Sequence, residues 1–151
     1  MNKTKFLFFN DCMVIFPSYF DHSDTFRRYI NQGKKKLTSA GFVFAKVVDN
    51  NWIFQTYGKS ISLGIISNVP LEERFLEKNK NFHLVSFGDF YAIVIGDISN
   101  LFLSEPDTIV KTIPILDKVE NPFFTFNTDE EVDQYKYIIY GSIFDCPEFK
   151  F

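Results

Sequence analysis

The stretch Gly41-Phe42-Val43-Phe44-Ala45-Lys46-Val47-Val48, followed by Asp49-Asn50-Asn51 and then Trp52-Ile53-Phe54-Gln55-Thr56-Tyr57, places two β-rich runs either side of residues that tolerate positive φ. That is the pattern of a β-hairpin. Phe42, Phe44 and Val48 share one face of the first strand, and Val43, Ala45 and Val47 share the other. A strand that is apolar on both faces belongs inside a covered sheet, so a helix layer or a second sheet must lie over it.

The same pattern recurs outward from this hairpin. Phe82-His83-Leu84-Val85-Ser86-Phe87 and Phe90-Tyr91-Ala92-Ile93-Val94-Ile95 flank Gly88-Asp89, which supplies turn chemistry for a second hairpin. Phe6 to Phe9, Met13 to Phe16, Ser60 to Ile66 and Phe123 to Phe126 read as further strands, which brings the expected number to about seven or eight.

Helices are fewer. Asp21 or Ser23 can cap a helix carrying Phe26, Tyr29 and Ile30 and reaching toward Leu37 unless Gly33 ends it, with Lys34-Lys35-Lys36 at its negative end. Pro70 opens a short helix over 71–78, with Glu72 and Glu73 in the first turn. Thr128 and Glu131 form a capping-box pattern ahead of Val132, Tyr135 and Ile139, and Gly141 supplies a stop. Ser104 to Leu116 is ambiguous, because it begins like a helix and meets Pro114. Hairpins without regular βαβ alternation predict an α+β fold, a mainly antiparallel sheet carrying three or four helices.

Length and composition bound the class. A chain of 151 residues, 46% hydrophobic and 23% charged, has the size and balance of one globular domain over 1–151. Its 20 phenylalanines exclude wholesale disorder, since disordered chains are poor in aromatics. No run approaches the eighteen or so apolar residues that a membrane span needs, and Asn10-Asp11 cuts the apolar start too short for a signal peptide. Cys12 and Cys146 form no regular framework, so a reducing, cytoplasmic setting with plain buried thiols is expected. A net charge of −3 argues against a general nucleic-acid binder and suits a basic protein partner. The Phe-rich end, Phe144 to Phe151, is expected to tuck into the core, the alternative being a sticky tail for a partner.

The candidate chemistry is fragmentary. Gly58-Lys59-Ser60 has the end of a phosphate loop without its beginning, since Ile53 stands where the loop needs glycine, so a turn is expected. Asp21-His22-Ser23-Asp24 holds acid/base groups but sits where helix caps sit. His83 with His22 makes a weak zinc set, and Cys12 near His22 an unspecified thiol–base pair, so no metal and no cofactor is expected. Arg27-Arg28 with Lys34-Lys35-Lys36 reads as a solvated basic face.

Asp129, Glu130, Glu131 and Asp133, with Asp117 and Glu120 upstream, exceed what a helix cap requires and are the expected partner-binding surface. The leading expectation is a non-enzymatic protein-binding module, of the inhibitor or immunity type, that neutralises a basic effector. The alternative is a small enzyme or a binder of small, nucleotide-like molecules with a pocket at the sheet edge, built from Asp21, His22, Asp24, Lys59 and Ser60.

Overall fold

The computed structural model describes residues 4–48, 51–79, 81–88 and 91–110. Strand β1 (Lys5–Phe8) turns at Asn10, whose φ of 71° is tolerated by asparagine, into β2 (Cys12–Phe16). Helix α1 (His22–Tyr29) follows, then the long hairpin β3 (Ser39–Val48) and β4 (Asn51–Tyr57). A small hairpin, β5 (Lys59–Ser60) and β6 (Ile65–Ile66), leads to α2 (Val69–Lys78). The second large hairpin is β7 (Phe82–Ser86) and β8 (Tyr91–Gly96), and β9 (Thr108–Val110) pairs beside β7.

Seven strands form one antiparallel sheet in the order β4-β3-β1-β2-β8-β7-β9. Pairing of Phe6 with Gly41 and with Ile15, and of Met13 with Ile95, fixes which residues share a face. One face carries Phe6, Phe8, Met13, Ile15, Ile93 and Ile95, and α2 packs Leu71, Phe75 and Leu76 against it. The other carries Leu7, Val14, Phe16, Val85 and Val94, against which α1 packs Phe26 and Tyr29. The period-two alternation therefore sorts two apolar sets to opposite sides of the sheet, each met by a helix. Phe8 and Phe75 meet edge to face at 5.0 Å between ring centroids, a favoured aromatic geometry that seats α2.

The α+β, mainly antiparallel architecture matches the sequence expectation, but the number of helices does not: two are present among the described residues, not three or four. The ambiguous stretch resolves as a strand at Thr108–Val110, where β-branched residues pair with Ser86, Val85 and Leu84. Helix α1 is also shorter than expected. Ile30 is already extended, at φ −92° and ψ 135°, and bridges to Phe102, so neither Ile30 nor Leu37 is helical and the lysine run lies beyond the helix end. The expected strand over 60–66 is a hairpin instead, turning at Gly64 with φ 65°. The strand at 123–126, the helix after Thr128 and the Phe-rich end lie outside the described residues, as do Asp49, Asn50 and Asp89 of the two hairpin turns. Among the described residues no helix is long and apolar enough to cross a membrane.

Candidate functional site

Among the described residues, His22, Cys12 and Glu72 are occupied structurally. His22 is 3% exposed and wedged between the rings of Phe16 and Phe42, while its Nε2–H donates to the Gly41 carbonyl at 2.7 Å. Burial disfavours the imidazolium, and the pKa falls to about 4, so the ring is neutral and committed to β3. Cys12 is fully buried in β2, and burial pushes its thiol up to about 12, which removes the nucleophilic thiolate. Glu72, fully buried in the first turn of α2, accepts from Ser39 Oγ and Ser67 Oγ, each at 2.5 Å, and from the Asn68 backbone N–H at 2.7 Å. Its carboxylate is thereby turned to holding α2 against β3 and capping the helix start.

Among the described residues, two open surfaces flank helix α2. At one corner the β5–β6 hairpin is pinned from within. Ser60 is 1% exposed and its Oγ accepts from Leu63 N–H at 3.2 Å, while Ser62 Oγ accepts from the Ser23 N–H of α1 at 3.2 Å. That serine supplies the cap which the Asp21 side chain does not make. Leu63 and Ile65 pack inward, so Ile61 and Ile66 are presented outward at 85% and 70% exposure. Beside Ile66, an open cleft of about 650 Å³ runs along Thr38, Ser67 and the start of α2.

At the opposite end of α2, about 15 Å away by helix rise, the β1–β2 turn, the end of β8 and the α2–β7 connection converge. Asn10, Asp11, Asn79, Asn81, His83 and Asp97 line an open cleft of about 500 Å³, with Phe75 and Ile98 as its apolar walls. Lys35, its side chain 6% exposed, reaches Asp11 Oδ2 at 2.8 Å. Hydrogen bonds from Ser99 hold the Asp97 carboxyl below the usual range.

The residues named from sequence fare unevenly. Asp129, Glu130, Glu131 and Asp133 lie outside the described residues. Ser60 does not itself meet the first turn of α1: its Oγ lies 3.4 Å from Ser62 Oγ, which in turn accepts from the Ser23 N–H, while Ser60 and His22 are buried and His22 bonds away to Gly41. Asp21, His22, Asp24, Lys59 and Ser60 line neither cleft. In Gly58-Lys59-Ser60 only Gly58, at φ 80°, makes the turn from β4, and Lys59 and Ser60 form β5. The basic face is broken up, because Arg27 pairs with Asp24 at 3.2 Å and Lys35 turns inward. Sequence reading missed the polar cleft. Its residues read singly as turn formers, and only their meeting at one end of antiparallel strands marks them. Among known proteins, no family model, curated protein or solved structure matches the chain.

Proposed function

We propose that the chain is a protein-binding module of the inhibitor type whose contact surface is centred on the β5–β6 hairpin. The observation that carries this reading is the display of Ile61 and Ile66, 85% and 70% exposed, on a hairpin that Ser60, Ser62, Leu63 and Ile65 hold rigid. Exposed apolar side chains on a braced backbone can leave water on binding with little backbone ordering, which favours an interface. The structural use of His22, Cys12 and Glu72 supports a binding role over bond-making chemistry at those groups. The net charge of −3 and the carboxylates of Asp129, Glu130, Glu131 and Asp133 favour a basic partner, steered by charge and held by the apolar anchors.

The test is retention of a stoichiometric partner from host lysate by the tagged protein and by the Ile61→Asp, Ile66→Asp double variant, at low and high salt. Burying two isoleucines is worth a few kcal/mol, so the variant should bind at least about tenfold more weakly while melting at an unchanged temperature. A partner retained equally by both proteins, or no stoichiometric partner at all, would overturn the reading.

A further inference from the structure

We draw no further inference here: the strongest candidate, the outer edge of β4 (Asn51–Tyr57), which among the described residues pairs along one side only, with β3, carries nothing because nothing in the structure shows what covers it.

Discussion

Ser39 Oγ donates to Glu72 Oε2 at 2.5 Å, joining the first residue of β3 to the first turn of α2 inside the protein. The same carboxylate accepts from Ser67 and from the Asn68 backbone, so one side chain closes the loop between the small hairpin and the helix. Removing it strands three buried or half-buried donors. Glu72→Ala should cost about 3 kcal/mol and lower the melting temperature by about 10 °C, read by calorimetry. A shift within 2 °C or so would show that the network contributes little.

His22 makes stability depend on pH with a defined sign. Its pKa is about 4 in the folded protein against 6.5 in the unfolded chain, so the unfolded state binds more protons between those values. The contribution is fully present above pH 6.5, is lost progressively as the pH falls to 4, and is flat below. Over that window it amounts to ~3 kcal/mol. Denaturant titrations at intervals across the window should show this slope, and His22→Gln should flatten it. An equal slope in the variant would place the titration elsewhere.

Cys12, buried in β2 with its thiol pushed up to about 12, should resist thiol reagents at pH 8 for as long as the protein stays folded. In a Cys146→Ser background, labelling by a disulfide reagent should follow global unfolding and become immediate in denaturant. Rapid labelling of native protein would contradict the burial.

Gly96 ends β8 at φ 96°, and a Cβ there would stand 2.4 Å from the Asp11 carbonyl oxygen and 2.8 Å from Phe75 Cζ. Both contacts are with atoms fixed by the β1–β2 turn and by α2. Gly96→Ala therefore combines backbone strain with a clash and should destabilise by about 2 kcal/mol or more. It should also disturb the amides of the adjoining cleft. A variant as stable as the parent would mean that the turn can move aside.

Much of the fold is legible in local sequence because it follows from period-two alternation bounded by turn residues. Phe42 to Val48 with Trp52 to Tyr57, and Phe82 to Phe87 with Tyr91 to Ile95, specify their own hairpins, and Pro70 with Glu72 specifies the start of α2. The two apolar faces also foretell a covered sheet. Local rules mislead where a distant segment competes. Ile30 leaves α1 to bridge Phe102, Lys35 leaves a run of lysines to meet Asp11, and the Ser23 N–H is capped by Ser62 from another hairpin.

The sequence by itself determined the class of the protein, an antiparallel sheet between apolar layers, because side-chain alternation and turn chemistry are properties of neighbours along the chain. The tertiary structure alone decided which polar groups are structural and which stand open. His22 looks like chemistry in one dimension, and Glu72 like an ordinary first-turn acid, and both are buried, partnered supports in three. Asn10, Asp11, Asn79, Asn81 and Asp97 look like turns and together line one polar cleft. The physical reason is that burial and electrostatic surroundings come from strands and helices far apart in sequence, so a residue's working state is fixed only when the sheet order β4-β3-β1-β2-β8-β7-β9 brings those elements together.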